Sequence, residues 1–173
     1  MNRFFISKSD IRGDEVVLSG QQAHQIRNVL RMTSGEGIIV LDNTGCEYEV
    51  VLTGVDKQKV TGRIESRRAG TAEPQVRLTL YQSLLPRDKF ELVLQKCTEV
   101  GVAAFIPLIT SRSLVHEEKE VRDKMPCWER VIREAAEQSG RGLLLELLLA
   151  LHFPQAVDAI SKKDAPAFIL WEK

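Results

Sequence analysis

Gln82-Ser-Leu-Leu-Pro-Arg-Asp-Lys-Phe-Glu-Leu-Val-Leu-Gln-Lys-Cys-Thr-Glu-Val-Gly101 is the stretch whose reading decides the fold. It follows Val76-Arg-Leu-Thr-Leu-Tyr81, whose alternation of apolar and polar side chains predicts a strand. Pro86 suits the first turn of a helix, where no N–H is needed. Phe90, Val93, Leu94, Cys97 and Val100 then recur at helical spacing, and Gly101 is a natural residue just past the end. Ala103-Ala-Phe-Ile-Pro-Leu-Ile109 follows, a short apolar run of the kind buried in parallel sheets. Strand, helix and buried strand make a βαβ unit. Ligands of such sheets bind outside the carboxyl ends of the strands, and the turn carrying Arg87 and Lys89 is one such end. The plainer reading of the helix is a solvated face with Glu91–Gln95 and Gln95–Glu99 neighbours.

The 173 residues suffice for one large domain or two small ones, and 43% hydrophobic content supports a real core. With 24 basic and 24 acidic side chains the formal charge is zero, so any nucleic-acid site must be a local patch. Cys46, Cys97 and Cys127 are odd in number and widely spaced, which fits a reducing, cytoplasmic setting and no zinc or other metal site. No signal peptide or membrane helix is legible, so no membrane partner is expected.

Upstream, Phe4-Phe5-Ile6 and Glu15-Val-Val-Leu18 are strand candidates. Ser19 is placed to cap a helix over about 20–31, with Gln22 as capping-box partner. Ile38–Leu41, Tyr48–Leu52 and Lys59–Ile64, separated by Gly- and Asn-rich turns, suggest a small closed or half-closed barrel. His24, Arg27 and Arg31 share one helix face. Arg27 and Arg31 could meet phosphate; alternatively Arg31 bonds the helix's last carbonyls and His24 is a satisfied surface residue. Ser66–Gln75, small, polar and without period, reads as a linker, giving a β domain over 1–70 and an α/β domain over 75–173.

Downstream, Arg112 should stand near Arg87 and Lys89, forming either a phosphate-binding rim or an ion pair with a carboxylate such as Glu99. The charged run His116–Lys124 reads as a solvated lead-in to a helix starting at Pro126. Trp128, Val131, Ile132 and Ala135 form its apolar stripe, and it should stop near Ser139 because Gly140 follows. Glu137, Gln138, Ser139 and Arg141 would be presented from that terminus. Pro154–Ile160 reads as a short helix and Ala167–Trp171 as a strand.

Three motifs in order carry a resemblance. They are Gln82…Pro86-Arg87…Lys89…Glu91…Gln95-Lys96…Glu99…Gly101-Val102, then Arg112-Ser-x-Val115, then Trp128-x-Arg-Val-Ile-Arg-Glu-Ala-Ala-Glu-Gln-Ser-Gly-Arg141. Together they resemble the RsmE family of bacterial ribosomal RNA methyltransferases. The resemblance implies a PUA-like RNA-binding barrel followed by a SPOUT methyltransferase domain. It also implies S-adenosylmethionine as cofactor, N3 of a uridine in the 16S rRNA of the small ribosomal subunit as target, and action as a homodimer. On that reading Arg27 and Arg31 contact RNA. Arg87, Lys89, Arg112, Glu137, Gln138 and Arg141 lie near the substrate pocket, and Leu170 and Trp171 lead into the cofactor pocket. Transfer to N3 needs that nitrogen's proton accepted or the O2/O4 anion stabilised, but no residue is singled out as the base.

The chain departs from the family's pattern after Arg141. Gly142-Leu-Leu-Leu-Glu-Leu-Leu-Leu-Ala-Leu151 stands where basic residues and prolines are usual, and reads as a buried strand or a helix extension. The family's Gly-Pro-Glu-Gly-Gly loop and Leu-Gly-x-x-Ile-Leu-Arg segment, which build the knotted cofactor pocket, do not occur in these residues. Two expectations follow: part of a methyltransferase whose activity needs the missing segment, or a chain that only docks RNA or is an inert truncated fragment.

Overall fold

The computed structural model describes residues 1–113, 115, 117–162 and 164–170, with the Arg87 side chain outside that set. Trp171 and His116 also lie outside the described residues. The architecture is mixed α/β, with one curled, mainly antiparallel sheet and one parallel sheet.

The first sheet contains β1 (Arg3–Phe5), β2 (Ile11–Arg12), β3 (Glu15–Ser19), β4 (Gly37–Leu41), β5 (Cys46–Val55) and β6 (Lys59–Ala69), in the order β1-β4-β5-β6-β3-β2. Register shifts at Glu49/Val50 and Leu52/Gly54 mark irregularities in the long β5–β6 hairpin, which bend it around the core. That core holds Phe4, Val16, Leu18, Ile26, Ile38, Val40, Val50, Leu52 and Val60. Among the described residues no ladder joins β1 to β2, so the half-closed form of the expected barrel is the one observed.

The predicted linker begins later than expected, because β6 runs on to Ala69. Arg68, Arg67 and Ser66 lie opposite Glu47, Tyr48 and Glu49. Arg68 pairs with Glu47 and Glu49, and Ser66 donates to Glu49. Cross-strand charge pairing, invisible to a periodicity reading, extends the strand. The capping box at Ser19 is also absent: its side chain makes no cap bond, and Gln22 donates instead to the Phe5 carbonyl. Helix α1 (Gly20–His24) passes into a widened turn over Gln25–Val29, closed by Leu30 N–H to Gln25 O at 2.9 Å and Met32 N–H to Ile26 O at 3.0 Å. Arg31 then takes φ 54°, turning Met32 back into the core.

The parallel sheet contains β7 (Thr79–Ser83), β8 (Ala104–Ile109), β9 (Glu146–Leu147) and β10 (Leu151–His152), with β8 central and wholly buried. Helix α2 (Arg87–Glu99) joins β7 to β8 as expected. The strand starts at Thr79 rather than Val76, since Val76 and Leu78 stay exposed. Gly101 follows α2 at φ 91°, with the Pro74 ring standing where a side chain would begin. Helix α3 (Glu118–Ser139) begins eight residues before the expected Pro126, which lies inside it. Its stripe starts at fully buried Val121 and continues through Met125, Trp128, Ile132 and Ala135. The charged first turns are its solvated face. Gly140, at φ 80°, ends it as predicted.

The leucine-rich run forms strand, but in two pieces. Leu148 N–H bonds Phe105 O while Leu84 N–H bonds Leu108 O, so odd residues of β8 face β9 and β10 and even ones face β7. Pro107 therefore turns its missing N–H toward the run, where the ladder between Leu147 and Leu151 is interrupted. Helix α4 (Phe153–Ser161) closes the order. The expected strand at 167–171 is not formed among the described residues: Phe168, Ile169 and Leu170 are 90%, 77% and 99% exposed and lack a ladder partner.

Candidate functional site

Parallel register brings Ser83, Ile109 and His152 to one edge of the second sheet. From that edge leave the 84–86 turn into α2, the Thr110–Ser113 turn, and α4. The Thr110–Ser113 turn is bonded within itself. Ser113 N–H donates to Thr110 O at 3.0 Å, Thr110 N–H to Ser113 Oγ at 3.0 Å, and the two hydroxyls lie 3.1 Å apart. Ser113 is buried and Arg112 is left exposed at the tip. Lys89 is exposed on the first turn of α2, and Arg87 opens that helix. A cleft of about 440 Å³ beside this edge is lined by Ile109, Thr110, Ser111, His152, Phe153 and Pro154.

Among the described residues no carboxylate pairs with Lys89 or Arg112. The alternative partner Glu99 is engaged by Gln95 Nε2 and Lys96 Nζ, each at 2.8 Å, and these contacts lower its pKa. Geometry explains why. Glu99 ends the 13-residue α2 at the amino edge of the sheet, roughly 18 Å from the end carrying Arg87.

The same argument separates the other candidates. Helix α3 returns from the carboxyl to the amino edge over 22 residues, roughly 33 Å. Glu137, Gln138 and Arg141 therefore lie a helix length from Lys89 and Arg112 within one chain. Within one chain the candidates thus form two separate groups.

Arg141 is 3% exposed. Its Nη2 and Nε reach the two oxygens of Glu73 at 2.8 and 3.3 Å, and Nη1 donates to Thr98 O and Val102 O at 3.2 and 2.8 Å. Glu73 Oε1 also accepts Gly142 N–H at 3.1 Å and Leu143 N–H at 3.0 Å. Burial pushes the Glu73 carboxyl up more than any single contact lowers it, yet the bonds from Arg141, Leu143 and Gly142 together hold it below its ordinary value. Arg141 thus ties the ends of α2 and α3 to the segment before β7. Glu73 sat in a stretch read as linker, and nothing in its local sequence marks it.

The second group faces the first sheet. Glu137 accepts Phe5 N–H at 2.9 Å, and burial pushes its carboxyl up despite that bond. Glu137, Gln138 and Glu134 wall a cleft of about 310 Å³ with Asn2, Arg3 and Gln25. Gln25 and Leu30, which line it, bracket the turn bearing Arg27. Arg27 is half-buried, and Arg31 and His24 are exposed. None of these three has an ion pair among the described residues. Three other arginines of this sheet are engaged. Arg67 bonds Asp14 at 2.7 Å and lies over the Tyr48 ring, and Arg68 shares nearly buried Glu47 with Arg3. The Arg3–Glu47 contact at 2.7 Å leads the causes that hold Glu47 low.

Leu170 stands in solvent. Among the described residues no group of three or more His, Cys, Asp or Glu side chains is placed to hold a metal ion. No helix among them is long and apolar enough to cross a membrane.

Residues 72–173 match an RNA methyltransferase domain and residues 18–65 an RNA methyltransferase PUA domain. The chain is 31% identical over 168 residues to Ribosomal RNA small subunit methyltransferase E of Bacillus subtilis, covering 95% of this chain and 66% of that protein. The Synechocystis protein of the same name is 31% identical over 167 residues, covering 96% and 54% respectively. The Neisseria gonorrhoeae Ribosomal RNA small subunit methyltransferase E, solved bound to S-adenosyl methionine, superposes with a TM-score of 0.84 at 28% identity, covering 96% of this chain and 66% of that one. A putative methyltransferase from Legionella pneumophila, solved with the cofactor SAM, gives 0.83 at 30% identity over 90% and 65%. The chain spans about two thirds of the Bacillus relative and about half of the Synechocystis one. By its domain matches, its relatives and its fold, the chain belongs to the RNA methyltransferase family that includes ribosomal RNA small subunit methyltransferase E.

Proposed function

We propose that the protein serves S-adenosylmethionine-dependent methylation of N3 of a uridine in 16S rRNA, acting as a homodimer on the small ribosomal subunit in the cytoplasm. The observation that carries this reading is that the cations of both candidate groups lack carboxylate partners among the described residues, as Arg12 and Lys59 of the first sheet also do. Arg27, Arg31, Lys89 and Arg112 are unpaired among the described residues of a chain with no net charge, whereas Arg3, Arg67, Arg68 and Arg141 are all ion-paired. Arg31 adds support, because its left-handed backbone costs roughly 1–2 kcal/mol that glycine would avoid. The guanidinium forks of the three arginines and the Lys89 ammonium suit phosphate oxygens.

S-adenosylmethionine, when bound, supplies an electrophilic methyl group. At the carboxyl edge, Ile109, Phe153 and the Thr110 and Ser111 hydroxyls, which line the cleft, would hold the cofactor from one side. Lys89 and Arg112 would stabilise negative charge on the uracil O2 and O4 as the N3 proton leaves. Completing the cofactor site falls to the part of the relatives beyond these 173 residues. This chain alone then binds RNA without transferring methyl groups.

Fluorescence anisotropy with a labelled 16S rRNA fragment tests this reading. Arg27→Ala and Arg31→Ala should each weaken binding and reduce the log–log salt slope by about 0.7–1. Arg67→Ala, which removes an ion-paired arginine, should leave both unchanged. Titration of S-adenosylmethionine into the same folded sample should give no binding heat. RNA binding indifferent to Arg27 and Arg31, or micromolar cofactor binding, would contradict the respective half.

A further inference from the structure

The Phe5 peptide group is held by side chains from two parts of the chain. Its N–H donates to Glu137 Oε1 at 2.9 Å, and its carbonyl accepts Arg133 Nη1 at 3.0 Å and Gln22 Nε2 at 2.5 Å. Glu137 and Arg133 lie one helical turn apart on α3, and Gln22 lies on α1. β1 is the edge strand of its sheet, so an outward peptide there would ordinarily bond water. Here α3 takes that place. The Phe5 ring, 1% exposed, packs beneath with Ile39 and Leu41 of β4 and with Ala136 and Leu144 from the α3 side. Polar and apolar contacts thus fix the same junction between the curled sheet and the parallel-sheet unit.

We infer that Glu137 and Arg133 are positioning residues. They hold the first sheet, with Arg27 and Arg31, in one orientation relative to Lys89 and Arg112, so that a single RNA meets both groups without first ordering the two units. The inference rests on the reading that this chain binds RNA. The physical reason is effective concentration: contact at one group makes contact at the other intramolecular, and its strength depends on whether the geometry is fixed in advance. Neither residue need touch RNA for this. The Phe5 N–H needs only an acceptor oxygen, so an amide can replace the carboxylate.

The test pairs ¹⁵N relaxation with RNA affinity. In the wild type, amides of both sheets should report one common tumbling time. In Arg133→Ala, whose side chain is exposed and whose loss is tolerable for folding, and in Glu137→Ala, the first sheet should tumble separately. Affinity for an RNA long enough to reach both groups should then fall at least roughly tenfold. Affinity for a trinucleotide limited to the Arg27–Arg31 turn should not change. Glu137→Gln should restore the wild-type values. Separate tumbling in the wild type, or long-RNA affinity unchanged in both alanine variants, would overturn the inference while leaving RNA binding intact. Loss in Glu137→Gln equal to that in Glu137→Ala would also overturn it. A wild-type chain that binds neither RNA would instead remove the underlying reading, and the positioning role with it.

Discussion

Arg141→Met is expected to lower the unfolding free energy by roughly 3–5 kcal/mol, read from urea denaturation. Arg141 is nearly fully buried, and its loss leaves half-buried Glu73 with two backbone donors and no counter-charge. It also leaves the Thr98 and Val102 carbonyls without their guanidinium donor. A double variant, Glu73→Gln with Arg141→Met, should recover part of the loss, because it removes the uncompensated charge. The pH dependence follows from Glu73. Its carboxyl is held below the ordinary value of 4.5, so its contribution is present above that value and is lost as pH falls through the folded-state pKa. Wild-type stability should therefore decline below about pH 4.5 more steeply than that of Glu73→Gln. Equal acid profiles for the two proteins would remove Glu73 as a source of stability.

Phe90→Ala should cost a comparable amount, about 3–5 kcal/mol. Phe90 is 1% exposed and meets Phe105 of β8 edge-on at 5.6 Å between ring centroids, and Trp128 of α3 at 4.5 Å. One ring thus joins α2, the central strand and α3, and alanine would leave a cavity that three rigid elements cannot close together. Leu92, on the same helix but 53% exposed, is the control. Its alanine variant should stay within about 0.5 kcal/mol of wild type. A Phe90→Ala loss no larger than that of Leu92→Ala would mean the packing of this layer is not what holds it.

Those two sites show what a sequence can and cannot reveal. Phe90 was legible because helical periodicity reports burial directly, as it did for α2, while a continuous apolar run marked β8 and a glycine marked the stop of α3. Glu73 and Arg141 were not, because an ion pair across 68 residues leaves no local trace. Cross-strand pairing was hidden in the same way: Ser66–Gln75 reads as a linker, but Arg67 and Arg68 pair with Asp14, Glu47 and Glu49 and carry the strand on to Ala69. The start of α3 was missed for a different reason. Pro126 is a strong local start signal, but the buried stripe beginning at Val121 outweighs one lost backbone donor. The candidate site was legible as residue types and not as an arrangement. Only the length of α3 separates Glu137, Gln138 and Arg141 from Lys89 and Arg112, and only the fold brings Glu137 to Phe5.

The reading as a uridine-N3 methyltransferase of 16S rRNA is tested most directly in the host cell. The reading frame encoding this chain would be deleted, and 16S rRNA digested and mapped by mass spectrometry for 3-methyluridine. The account predicts that a single 3-methyluridine disappears and returns when a full-length relative is supplied on a plasmid, but not when these 173 residues are supplied alone. An unchanged modification profile, or loss of a methyl group from a different base, would contradict it.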